Sequence, residues 1–130
     1  MLKRKKGMNG QSTVEAAMIL PLVILILTGI IDFGLLFNNY LVIANASREG
    51  VRLASVGSAD SVINSSILNM TTTLNQSKMQ VTIAPSQSLR KKGDEISVTI
   101  EYENQLLTPV ISAIVPNPMH LKARTVMRME

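Results

Sequence analysis

From Ala16 to Ile31 the chain carries no charged residue, and after a single Asp32 the apolar run resumes as Phe33, Gly34, Leu35, Leu36 and Phe37. No other feature limits the fold as tightly. At ~1.5 Å rise per residue, the stretch 16–37 reaches roughly 33 Å as a helix, enough to cross a hydrocarbon layer of about 30 Å. A soluble helix that is apolar on every face must be wrapped by a domain. The chain has 130 residues, and the roughly 80 to 90 left for a soluble module are too few to wrap one. The expectation is a single transmembrane helix near the N-terminus.

Its direction follows from charge. Lys3, Arg4, Lys5 and Lys6 stand just before the span and carry the whole net charge of +4, because the remaining nine basic residues balance nine acidic ones. Cations on one flank favour a cytoplasmic N-terminus, so the C-terminal part is expected outside. A cleaved secretory signal shares the basic-then-apolar order. The apolar stretch is long for one, however, and no small-residue cleavage site closes it.

Composition excludes several function classes. There is no Cys and a single His, so thiolate metal sites, Cys nucleophiles and disulfides are ruled out and a His cluster cannot form. His120 stands among Lys122 and Arg124 with no motif that would give it a nucleophile to activate, so no enzyme is expected and no cofactor. After the leader no basic stripe with interleaved aromatics remains for nucleic acid. With two Phe, two Tyr and no Trp, the core must be aliphatic, and no small-molecule pocket is expected.

Two positions interrupt the span. Pro21 removes one helical hydrogen bond, which predicts a kink or loosening near Met18 to Pro21. Asp32 would cost about 2.5 to 3.5 kcal/mol at a bilayer centre. Lying ~24 Å from Ala16 along the helix, it is read as sitting near the outer headgroups; the other reading pairs it with a neighbouring subunit. Beyond Phe37, apolar residues at Tyr40, Leu41, Ala44, Val51 and Ala54 keep mostly helical spacing, so one helix is expected from about 13 to 56, ended by Gly57 and Ser58. Its outer part is a stalk for a head.

The head reads as a small α+β unit. Val62, Ile63, Ile67, Leu68, Met70 and Leu74 predict a short amphipathic helix over 61–77, capped by Asp60 or Ser61. Met79, Val81 and Ile83 alternate with polar residues up to Pro85, as do Ile96, Val98, Ile100 and Tyr102, so two strands are expected to pair as an antiparallel hairpin. Arg90, Lys91 and Lys92 between them read as a solvated loop tip. Residues 106–115 are too short to span a membrane and are expected to pack beneath the sheet or to touch the lipid interface. Alternation from His120 to Glu130 adds a third strand, whose cations face Glu101 and Glu103. The expected organisation is a basic leader over 1–10, a transmembrane and stalk helix over 11–56, and a head over 57–130.

The junction Gly10, Gln11, Ser12, Thr13, Val14, Glu15, basic before and apolar after, resembles the processing site of type IV prepilins. That resemblance implies a prepilin peptidase cutting between Gly10 and Gln11, with Glu15 at the fifth mature position. Removing the leader cations frees an amine that can relieve the cost of a carboxylate close to lipid. The wider pattern is similar to the TadE-like family, the pseudopilins of tight-adherence (Flp-type) pilus systems. It is carried by Leu20, Pro21 and Leu22, by Gly29 to Gly34 with Asp32 inside, by Ala46 to Arg52, and by the closing Val126, Met127 and Arg128. Ala16 departs from the family, which usually has an aromatic there.

What the resemblance implies is a structural component rather than a catalyst: a minor pilin or pseudopilin in the bacterial cytoplasmic membrane. Its partners would be other pilins, the peptidase, the membrane assembly platform and the bilayer. Whether it enters the filament or stays behind is left open. The competing expectation is a membrane-tethered binding module or envelope assembly factor whose helix is never cleaved.

Overall fold

The computed structural model describes residues 8–130, with side chains from Gly10 onward. The leader cations Lys3 to Lys6 lie outside the described residues. Helix α1 runs from Met8 to Ser55, 48 residues without a break in its helical assignment, with Pro21 inside it. Gly57 ends it: at φ +83° its N–H donates to Ala54 O, and the Ser58 N–H donates to Leu53 O, both at 3.1 Å. This paired closure needs a left-handed residue, a conformation glycine adopts without steric cost. Helix α2 (Asp60–Met70) follows, then strands β1 (Met79–Ala84) and β2 (Glu95–Asn104), a one-turn helix α3 (Pro109–Ser112), and strand β3 (Met119–Arg128).

The three strands form one antiparallel sheet in the order β1-β2-β3. In its register Val81 faces Ile100, and Glu101 faces Lys122 while Glu103 faces His120. The expected pairing of cations with the glutamates is thus partly realised, with Lys122 Nζ 3.1 Å from Glu101 Oε1. Both side chains are more than half exposed, so the pair aligns strands more than it stabilises them. The architecture is α+β, a long apolar helix with a short second helix and a three-stranded sheet, as the sequence predicts.

One face of the sheet makes the core. Ile96, Val98 and Ile100 of β2 are fully buried against Ile43, Ala46, Val51 and Ala54 of α1 and against Ile63 and Ile67 of α2. Burying one such isoleucine contributes about 1.5 to 3 kcal/mol, so this aliphatic layer is what holds the head to the helix. Three local expectations are corrected. Helix α2 stops at Met70, where the Thr71 hydroxyl bonds back to Ile67 O at 2.9 Å; a 3-10 turn over Gln76–Lys78 takes the place of its expected last turns. Asp60 does not cap α2, since Ala59 holds the cap position. Instead Asp60 pairs with Arg90, whose side chain is only 1% exposed and also donates to the carbonyls of Pro85 and Ser58. The basic triplet is therefore no free loop tip: its first member ties the hairpin loop to the start of α2.

The stalk's buried face runs along its Ile43, Ala46, Ser47, Val51 and Ala54 side. Phe37, Tyr40 and Leu41 are 41–50% exposed, whereas Ile43, Ala46, Ser47, Val51 and Ala54 are fully buried. The helix sits close to the sheet, and small side chains permit that approach. A Cβ on Gly50 would lie 2.9 Å from Ile67 Cδ1 and 3.3 Å from Val98 Cγ1.

Candidate functional site

Three places along α1 carry the residues singled out by sequence. The first is the junction. Gly10 is exposed with nothing within 4 Å of an added Cβ, so access to its peptide bonds is not blocked by the head. Gln11 and Glu15 lie one turn apart on the helix surface, and the Gln11 Nε2 amide donates to Glu15 Oε1 at 3.1 Å. Such an i,i+4 contact is worth tenths of a kcal/mol in water. It leaves the carboxylate available for a stronger donor. Ala16 is exposed on the next turn.

The second place is the outer end of the apolar run, where the structure brings Asp32 and residues 106–115 together. The Asp32 carboxylate, 3% exposed, accepts from the backbone N–H of Leu107 at 3.1 Å and of Thr108 at 3.3 Å, and from the Thr108 hydroxyl. Those N–H groups immediately precede α3, where backbone donors have no helical partner of their own. Asp32 therefore ties the loop to the long helix, a role that neither the headgroup reading nor the neighbouring-subunit reading foresaw. Gly29 makes room one turn earlier, with Ile111 Cδ1 3.6 Å from where its Cβ would be. Pro21, Leu25 and Thr28 line a shallow apolar cleft with Pro109 and Val110. Residues 106–115 consequently lie alongside α1, not beneath the sheet. Phe37 stacks on Phe33 with ring centroids 6.3 Å apart; both rings are half- to two-thirds exposed, and Phe33 borders an apolar cleft with Leu106, Ile111 and Met119.

The third place is the seam over Ala46 to Arg52. Ala46, Ser47, Gly50 and Val51 face the sheet, while Arg48 and Arg52 face out. The buried Ser47 hydroxyl donates to Val98 O at 2.8 Å and shares a hydrogen bond with the Thr125 hydroxyl at 2.9 Å. On the outer side Arg52 holds Glu49 through two contacts of 2.9 and 2.6 Å. The hydrogen bonds to Arg52 keep the Glu49 carboxyl below the ordinary glutamate range, and the same pairing raises the guanidinium.

Sequence reasoning missed the Asp32 clasp, the Arg90 tie and Ser47. A signal for the clasp was present in the spacing Gly29, Asp32, Leu36, Asn39, Ile43, Ala46, Gly50, Ala54. Steps of three and four mark one continuous stripe, and every residue on it is at least partly buried. Asn39 on that stripe donates to Asn104 Oδ1 at 2.6 Å. Among the described residues no group of three His, Cys, Asp or Glu side chains is placed to hold a metal.

Among the described residues one helix is long and apolar enough to cross a membrane, with only 6% of its most apolar 18 residues buried by the rest of the chain, and this defines a class: a chain with a candidate N-terminal span and a small α+β head on its far half. The family follows from comparison. Residues 10–52 match the model of the family described as TadE-like protein, and over that stretch the chain is similar to that family. The match covers about a third of the chain and takes in all three places on α1 described above. It links the chain in general terms to the pseudopilin-like components of tight-adherence pilus systems. No curated protein and no solved structure gives a match.

Proposed function

We propose that this chain is a non-enzymatic minor pilin or pseudopilin of a tight-adherence pilus system, matured by a prepilin peptidase between Gly10 and Gln11. It is anchored by α1 in the bacterial cytoplasmic membrane, N-terminus inside and head outside, and works with other pilins and the membrane assembly platform. The observation that carries the reading is the family match, which begins at Gly10, the residue after which the peptidase would cut.

Physical chemistry supports the role of Glu15. A carboxylate entering an apolar span is costly without a partner, and in this chain its intramolecular donor is a neutral amide from Gln11. Cleavage places a charged amine on Gln11 itself, and a neighbouring subunit's amine is a stronger, charge-assisted donor. Exchange of the weak local contact for the strong one would set the axial stagger between helices packed side by side.

Mass spectrometry of the protein recovered from its host is the test. A mature N-terminus at Gln11 is expected, lost in Gly10→Val. An N-terminus at Met1 in wild type would replace the reading with that of an uncleaved, membrane-tethered assembly factor. Probing sheared pili and membranes separately then tells a filament subunit from a component that stays behind.

A further inference from the structure

We infer that residues 106–115 form a membrane-seated loop, with lipid of the outer half of the bilayer covering the exposed apolar face of α3 and its flanks. The inference rests on the anchoring part of the proposed function, and on nothing about cleavage or filaments.

Depth comes first. The loop lies against Leu25, Thr28, Gly29 and Asp32 of α1, all inside the apolar run that ends at Phe37. At ~1.5 Å per residue, Gly29 is roughly 12 Å and Leu25 roughly 18 Å below that end, which spans the outer half of a layer about 30 Å thick. If α1 crosses the bilayer, whatever touches these residues must share their depth.

The loop's chemistry fits that depth. No charged residue occurs between Gln105 and Met119. Leu107, Val110 and Ile114 are 71, 54 and 73% exposed, an unfavourable display in water but not beside the equally bare Ile26 and Ile30 of the span. Hydrocarbon also demands that backbone donors be satisfied within the protein. Asp32 takes the N–H groups of Leu107 and Thr108, and Asn117 Oδ1 takes that of Leu106 at 3.2 Å. Those of Ser112, Ala113, Ile114 and Val115 go to carbonyls of Thr108, Pro109 and Ile111, Pro109 and Pro116 have none to satisfy, and of the loop's donors over 106–115 only the first-turn N–H groups of Val110 and Ile111 stand outside this set. The clasp works in both directions, since the loop supplies the donors that let an acid remain within the span. The head thus lies on the membrane instead of standing clear of it on a stalk.

The chain has no native Cys, which permits a direct test with the full-length protein in phosphatidylcholine–phosphatidylglycerol vesicles. Val110→Cys and Ile114→Cys would each carry an environment-sensitive fluorophore, with Leu22→Cys as a span reference and Lys92→Cys as a reference at the exposed hairpin loop. Brominated acyl chains should quench positions 110 and 114 to within about twofold of position 22, and aqueous iodide should quench them at least about threefold less than position 92. Iodide quenching equal to that at position 92 would overturn the inference. So would shielding from both quenchers, which would mean that protein covers the loop. Failure of brominated lipid to quench position 22 would instead remove the membrane anchoring itself, and the inference with it.

Discussion

The two halves of α1 obey different rules although they are one helix. Over residues 18–24 large apolar side chains occupy every face, and Met18, Ile19, Leu20, Leu22 and Ile24 are all more than half exposed. From Leu25 onward a stripe of partly or fully buried residues recurs every three or four positions to Ser55, and in its outer part it is built from Ala46, Ser47, Gly50 and Ala54. In lipid, being apolar is sufficient, because the surrounding chains make no demand on side-chain shape. Against a sheet, size decides, because a close-packed interface penalises an added methylene as surely as a missing one. Residues 25–37 combine the two, turning Gly29 and Asp32 to the loop and Ile26, Ile30 and Ile31 outward.

This contrast predicts that changes in the two halves have separable effects. The largest is expected from Leu22→Arg, which should impair membrane integration at a cost approaching about 2.5 to 3.5 kcal/mol and leave the head's melting in detergent unchanged. A loss of head stability from this substitution would break the division. Next comes Gly50→Val, which pushes carbon atoms into Ile67 and Val98 and should cost the head about 2 to 3 kcal/mol, read by thermal circular dichroism, with integration intact. Ser47→Ala removes the buried hydroxyl's bonds to the Val98 carbonyl and the Thr125 hydroxyl and should cost about 1 to 2 kcal/mol by the same assay.

The smallest effect is a pH dependence confined to the outer half. Glu49 titrates below its ordinary range because Arg52 holds its charged form. Its contribution is therefore complete above the unfolded glutamate value and is lost as pH falls through the lower folded value. Glu49→Gln should flatten only that acid limb of the stability curve, and added salt should do the same to wild type, since Arg52 is more than half exposed.

How much could be read in advance also differs between the regions. The span, the three strands and their order were legible because hydropathy and period-2 alternation act through single-residue burial: Ile96, Val98, Ile100 and Tyr102 face the core as their spacing requires. The stalk's buried face was not assigned from sequence because helical reasoning weights large apolar residues, and Tyr40 and Leu41 outrank Ser47 and Gly50 on any hydropathy scale. Closeness of approach is a property of two surfaces, and one helix alone does not reveal it. Asp32 and Arg90 were misassigned for a related reason. Their partners lie 75 and 30 positions away, and spacing within an element carries no information about a contact between elements.

The central claim is that α1 crosses the bilayer with the head outside, and protease access in intact spheroplasts bears on it most directly. A C-terminal epitope after Glu130 should be removed by protease added from outside while the chain resists alkaline extraction from the membrane. An epitope digested only after lysis, or a chain released by alkali, would contradict the account.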